Sequence, residues 1–262
     1  QSTQLALQRG DYRQAAEHAR AADPVLTRLK AVDDALHARA AVAVAALSEG
    51  DLEGAQKVVA QFDDLPPGSP IGAGTMTIAA RAELQLARGD IEAGLAIYDE
   101  CVAAMRAVSF AGLETTGLEP WVIMAEGAAL AAYVRHAGSE RQRLRADELA
   151  RSVHRSLCDL TSGVTHMADY PVTGMGVVAL GAYAVTHELG EPGVRLLALA
   201  HRYGYNRSFP ALSWAWFAEL AERTVPGRLD VLLAENDGAP GPDLLAELAA
   251  ALEDLTGLTS CW

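Results

Sequence analysis

A short corner of glycine, aspartate and a large apolar residue recurs three times in the first third of this chain, and it leaves little choice of architecture. It reads Gly10-Asp11-Tyr12, Gly50-Asp51-Leu52 and Gly89-Asp90-Ile91, at intervals of 40 and 39 residues. Glycine after a helix takes the left-handed conformation that ends it without a Cβ penalty, and the aspartate accepts hydrogen bonds from the open N–H groups of the next helix. A turn that short folds each helix back along the one before. The apolar residue then opens a buried stripe: Tyr12, Ala15, Ala16, Ala19 after the first corner, Leu52, Ala55, Val59, Phe62 after the second, and Ile91, Leu95, Tyr98, Val102 after the third. Small residues at Ala15, Ala55 and Gly94 let helix axes approach closely.

The rest of the chain has the same period. Apolar residues recur at spacings of three and four, and period-two alternation is scarce, so the fold class is all-α. Gly138-Ser139 separates helices over 121–136 and 141–157. Leu189-Gly190-Glu191-Pro192 marks a further junction, with Pro192 in the first turn of its helix. Breakers place connections at 65–70, 109–120, 161–171 and 238–242, and a last helix over 242–255 carries Leu244, Leu245, Leu248 and Leu252 on one side. Hairpins repeated every forty residues or so predict antiparallel pairs stacked into a right-handed, tetratricopeptide-like superhelix, each burying its face against its neighbours. The expectation is one helical-repeat domain over 1–262, regular over about 1–107, with irregular repeats and a C-terminal cap over about 120–262. The opening segment 4–9 reads as the tail of a helix already under way, which suggests a piece of a longer protein.

Half of the 262 residues are apolar, enough for a substantial core. No run reaches the length and apolarity of a membrane helix and no leader opens the chain, so it reads as soluble, cytoplasmic and without a membrane partner. Thirty-four acidic against twenty-one basic residues give a net charge of -13, which disfavours direct nucleic-acid contact. The most basic stretch, Arg135, Arg141, Arg143, Arg145, Arg151 and Arg155 with His136 and His154, has Glu140, Asp147 and Glu148 beside it and reads as a solvated helix face. Cys101, Cys158 and Cys261 form no C-x-x-C pair; the first two read as small buried apolar residues.

Candidate chemistry is thin. No G-x-x-x-x-G-K-[ST] loop is present, and His187-Glu188 begins a zinc-protease pattern whose second histidine is replaced by Glu191. Ser69 within Gly68-Ser69-Pro70-Ile71-Gly72 has the wrong spacing for a nucleophile elbow. Asp33-Asp34 and Asp63-Asp64 sit where helix ends would use them as caps. Among seven scattered histidines, His166 in the loop before Asp169 is the first to examine. The sequence thus predicts no catalytic residue, no metal ligand and no cofactor. One local excess stands out: six of fifteen aromatic residues lie between 203 and 217, namely Tyr203, Tyr205, Phe209, Trp214, Trp216 and Phe217. They read either as rings closing the exposed end of the array or as a recognition surface, with Tyr203, Tyr205, Trp214 and Trp216 as the candidate ligand or partner contacts.

The Gly-Asp corners resemble those of tetratricopeptide repeats over roughly the first hundred residues. Farther on, Asp169-Tyr170-Pro171-Val172, Leu189-Gly190-Glu191-Pro192, Arg195-Leu196-Leu197-Ala198-Leu199-Ala200, Tyr203-Gly204-Tyr205-Asn206-Arg207 and the Pro242-Asp243-Leu244-Leu245 helix resemble the tail of actinobacterial transcriptional regulators of the AfsR or bacterial transcriptional activator domain type. That resemblance implies a C-terminal array attached to a winged-helix DNA-binding domain and a helical activator domain, acting as a non-catalytic binding and regulatory module. Its partners would be a protein segment, other domains of the same regulator or a small effector, and a homo-oligomer is compatible with it. A standalone adaptor that scaffolds protein complexes is the alternative.

Overall fold

The computed structural model describes residues 2–62, 74–110, 112, 116–163, 169–235 and 243–255. Among them are thirteen α-helices, one 3-10 turn over Pro210–Leu212 and no strand, so the all-α expectation holds. No described helix is long and apolar enough to cross a membrane. The fold falls into two compact units, Gln1–Glu114 with Asn206–Ala211, and Thr115–Tyr205 with Leu212–Trp262.

The first unit contains α1 (Ser2–Arg9), α2 (Tyr12–Arg28), α3 (Val32–Ser48), α4 (Leu52–Ala60), α5 (Thr75–Ala87) and α6 (Ile91–Arg106). Each helix packs on the next, and α3 also packs on α5. The three Gly-Asp corners lie between helices, as their chemistry requires. Gly10, Gly50 and Gly89 have φ of 74°, 77° and 83°. The following aspartates cap the next helix: Asp11, Asp51 and Asp90 accept from the N–H groups of Gln14, Gly54 and Ala93 at 3.1, 2.8 and 3.2 Å. Their own N–H groups reach back to Ala6, Ala46 and Gln85 carbonyls, closing the preceding helix. Most of the predicted stripes are inside, with Ala15, Ala55, Leu95, Tyr98 and Val102 at most 1% exposed, whereas Tyr12, Leu52 and Ile91, which open them, are half-buried. At Gly94 a Cβ would lie 2.6 Å from Leu86 Cγ and 3.0 Å from the Ala82 carbonyl oxygen, so the close approach of α6 to α5 depends on its absence.

A fourth corner of the same shape separates α2 from α3 with neither glycine nor aspartate. Lys30 takes the left-handed position at φ 58°. Ala31 follows at φ -79° and ψ 76°, beside -80° and 78° at Asp51, but offers no side chain to cap α3. Its N–H still donates to the Leu26 carbonyl at 3.0 Å. The shape is therefore imposed by helix packing rather than by the residues that form it. Left-handed lysine and a missing cap each forgo about 1 kcal/mol. Lys30→Gly with Ala31→Ser is expected to raise stability by about 2 kcal/mol, serine being preferred because Asp33 and Asp34 already occupy the first turn of α3. Thermal unfolding checks this; an unchanged or lower midpoint would refute it.

The second unit contains α7 (Pro120–His136), α8 (Glu140–Thr161), α9 (Tyr170–Thr186), α10 (Gly190–Arg202), α11 (Trp214–Thr224), α12 (Arg228–Glu235) and α13 (Asp243–Glu253). The Gly138-Ser139 junction is a capping box: Ser139 Oγ accepts from Gln142 N–H while Gln142 Oε1 accepts from Ser139 N–H. Pro120 and Pro171 stand within the first turns of α7 and α9, so the two connections expected to end on these prolines end before them. At the α9–α10 corner the left-handed position belongs to Glu188, φ 63°, and not to Gly190, which begins α10. The centre of this unit is α9, buried continuously over 173–185 and packed on α7, α8, α10 and α11. Asp63, Asp64, the 65–70 linker, Gly68 to Gly72, His166, the 238–242 connection and Cys261 lie outside the described residues.

Candidate functional site

The aromatic cluster is split by the fold. Tyr203 and Tyr205 are buried in the second unit, and their hydroxyls donate to the carbonyls of Leu244 and Leu212 at 3.1 and 3.0 Å. Burial, and then the neighbouring Tyr170, push the Tyr203 phenol pKa upward. Tyr205 meets Phe217 edge to face with centroids 6.2 Å apart. Trp214 and Trp216 open α11 and are half-buried: Trp214 lies 4.8 Å from His201, and the Arg135 guanidinium stands 5.7 Å above Trp216. Of the four candidate contacts, the two tyrosines have both ring and hydroxyl engaged within the unit, whereas the two tryptophans keep an exposed edge. Phe209 belongs instead to the first unit, where it is 1% exposed.

Phe209 leads to a site that sequence reading did not assemble. The segment Asn206–Ala211 belongs to the first unit, whereas the residues on either side of it belong to the second, and it is gripped by its main chain. Arg207 N–H donates to the Gln8 carbonyl in the last turn of α1 at 3.3 Å. The Arg207 carbonyl accepts from Tyr12 Oη, at the start of α2, at 2.7 Å. Ala211 N–H donates to Glu83 Oε1 of α5 at 2.9 Å, and the same oxygen accepts from Tyr98 Oη of α6 at 2.5 Å. Glu83 is 5% exposed and Tyr98 1%. Burial, together with the Glu83 charge and against the pull of Arg207, pushes the Tyr12 phenol up to about 12, so its hydroxyl remains a donor at neutral pH. The Arg207 stem runs over the first corner, with Cδ 3.4 Å from where a Gly10 Cβ would stand. Inside the segment, Asn206 Oδ1 accepts from both the N–H and the hydroxyl of Ser208. Three helices thus bond directly to the main chain of this six-residue segment, and α6 braces Glu83 from behind.

Sequence reading placed Tyr12 and Tyr98 on apolar stripes but gave their hydroxyls no task. It did not select Glu83 at all. The available signal was register: Glu83 follows Ala79 and Ala80 at helical spacing on the buried face of α5, where a carboxyl needs donors.

The remaining candidates resolve as structural features. Arg141, Arg143 and Arg155 are exposed, and Arg145 pairs with Glu148 at 2.8 Å, which is the solvated helix face expected of the basic stretch. Burial, and then Arg135, pull the His136 pKa down to about 4. Burial pushes the Cys101 thiol up to about 12, far from a reactive thiolate. His187 stacks on Tyr183 at 3.9 Å, with Nδ1 donating to the Tyr183 carbonyl at 2.8 Å. A cleft of about 180 Å³ over α2, α3 and α4 is occupied at its rim by the Arg39–Asp23 pair at 3.1 Å. Among the described residues, no three His, Cys, Asp or Glu side chains are grouped to hold a metal ion. No protein family, curated protein or solved structure matches the chain.

Proposed function

We propose that this chain is a non-catalytic binding module, a right-handed tetratricopeptide-like superhelix of antiparallel hairpins that takes an extended protein segment. Within the cytoplasm it would serve as the regulatory array of a transcriptional regulator of the type its C-terminal third resembles. The observation that carries the reading is the grip on Asn206–Ala211: three hydrogen bonds from α1, α2 and α5 are made to main-chain groups, which any extended polypeptide presents. The repeated corners support the same reading, because they fold successive helices back on each other as a stacked array requires. A bound segment would act by population shift, favouring the arrangement of the attached regulator that leaves the surface accessible.

Random-peptide display against the intact chain tests this. Selection of peptides that bind wild-type protein, and lose most of their binding when Tyr12→Phe and Glu83→Gln are combined, is the expected result. No selected peptide, or selected peptides indifferent to the double substitution, would overturn it.

A further inference from the structure

We infer that Asn206–Ala211 is the resident occupant of a peptide site on the first unit, and that a partner protein binds by replacing it with a segment of the same chemistry. This deepens the function proposed above and rests on it. Two properties of the segment separate it from ordinary core.

The first is the direction of its contacts. Core chain is held by its side chains, but here Gln8, Tyr12 and Glu83 address the main-chain groups of Arg207 and Ala211. Side-chain selection is superposed on that frame. The aliphatic stem of residue 207 lies against the Gly10 corner, Phe209 is 1% exposed, and Pro210 begins a 3-10 turn. The resident therefore presents a long-stemmed basic residue, an aromatic two places on and then a proline, and a replacement of the same chemistry would carry the same order. A basic residue also suits a chain carrying net charge -13.

The second is how the segment is bounded. Gly204 takes the left-handed conformation at φ 59°, and Tyr205 N–H reaches back to the Ala200 carbonyl at 3.4 Å, the closure seen at the corners that launch helices. No α-helix follows: after Tyr205 the chain is irregular through Ser208, where Asn206 Oδ1 accepts from Ser208 N–H, then turns at Pro210–Leu212 and resumes at α11. The segment lies between a left-handed corner and the 3-10 turn that takes in its last two residues, so its exit unwinds that turn but no α-helix. While it is seated, a partner meets only the fraction of molecules in which it is out, and apparent affinity falls by that fraction.

The test uses the intact chain and a fluorescent peptide with the sequence of residues 205–213, read by anisotropy. Ala211→Pro deletes the N–H accepted by Glu83, and Asn206→Ala deletes the brace on Ser208; both loosen the resident and leave the site intact. The peptide is expected to bind each variant roughly tenfold or more tightly than wild type, and adding Tyr12→Phe with Glu83→Gln should abolish the gain. In wild-type protein, saturating peptide should accelerate hydrogen exchange at the Arg207 and Ala211 amides, a readout independent of any variant folding. Equal affinity for wild type and both folded variants, with unchanged exchange, overturns the inference. If display-selected peptides still bind through Tyr12 and Glu83 in that case, the binding-module reading survives; if no peptide binds any form, both fall.

Discussion

Alanine at Gly193 is expected to cost the second unit about 3 kcal/mol or more, among the largest effects of a single added methyl anywhere in the chain. Its Cβ would lie 2.6 Å from Val185 Cγ2, 2.7 Å from the Gly181 carbonyl oxygen and 2.7 Å from the Val185 nitrogen. Two of those three atoms are main chain of α9, so rotamer changes cannot relieve the clash and α10 must move off α9. The approach is mutual: a Cβ at Gly181 would lie 3.0 Å from both the Gly193 carbonyl oxygen and Leu196 Cβ. Because α9 is buried along 173–185, displacing α10 loosens packing that α7 and α11 share. Gly138→Ala is the matched control, since nothing lies within 4 Å of its Cβ position; it should be neutral or stabilising by about 0.5 kcal/mol. Urea unfolding of both variants decides the matter, and a Gly193→Ala cost below about 1 kcal/mol would mean that the two helices are not set by this contact.

The contrast between corners set locally and corners set by packing explains what could be read from the sequence. Gly10-Asp11, Gly50-Asp51 and Gly89-Asp90 were legible because left-handed backbone and helix capping are local demands, answered by residues at the corner itself. Lys30-Ala31 and Glu188-Leu189 adopt comparable backbone with residues that do not ask for it, so only tertiary packing identifies them. The sequence of α9 alternates valine, alanine and glycine without a charge, and a helix apolar on every side carries no stripe to say which neighbours it faces. Gly193 is one of two glycines near a proline until Val185 and Gly181 are placed opposite it.

The site was hidden for a related reason. Aromatic density pointed to residues 203–217, yet a crowded set of rings signals burial as readily as recognition, and Tyr203 and Tyr205 are enclosed in the second unit. The partners of Asn206–Ala211 are 195 residues away at Tyr12 and 128 away at Glu83. No periodicity or spacing rule reaches that far. Main-chain recognition makes it harder still, since the recognised groups are the same in every residue and leave no signature in the segment.

Glu83→Ala should expose how much depends on that one carboxyl. Its Oε1 accepts from Tyr98 Oη and from Ala211 N–H, and both donor residues are 1% exposed, so water cannot readily replace the lost acceptor. Each buried donor deprived of its partner costs about 1–3 kcal/mol, and the vacated side-chain volume adds to it, for an expected loss of about 3 kcal/mol. Glu83→Gln keeps an acceptor oxygen in place and should lose about half as much. An exposed control, Glu148→Ala, breaks only the surface pair with Arg145 and should change stability by less than about 1 kcal/mol. A double-mutant cycle isolates the contact: Tyr98→Phe is expected to be costly in wild type but much less so beside Glu83→Leu, leaving a coupling of about 1 kcal/mol or more. Hydrogen exchange then separates the two donors, because Ala211 N–H should lose protection in Glu83→Ala and keep most of it in Tyr98→Phe. A Glu83→Ala protein within about 0.5 kcal/mol of wild type, with Ala211 still protected, would show that the helices hold the segment by apolar packing of Phe209 alone, and the case for main-chain recognition would end there.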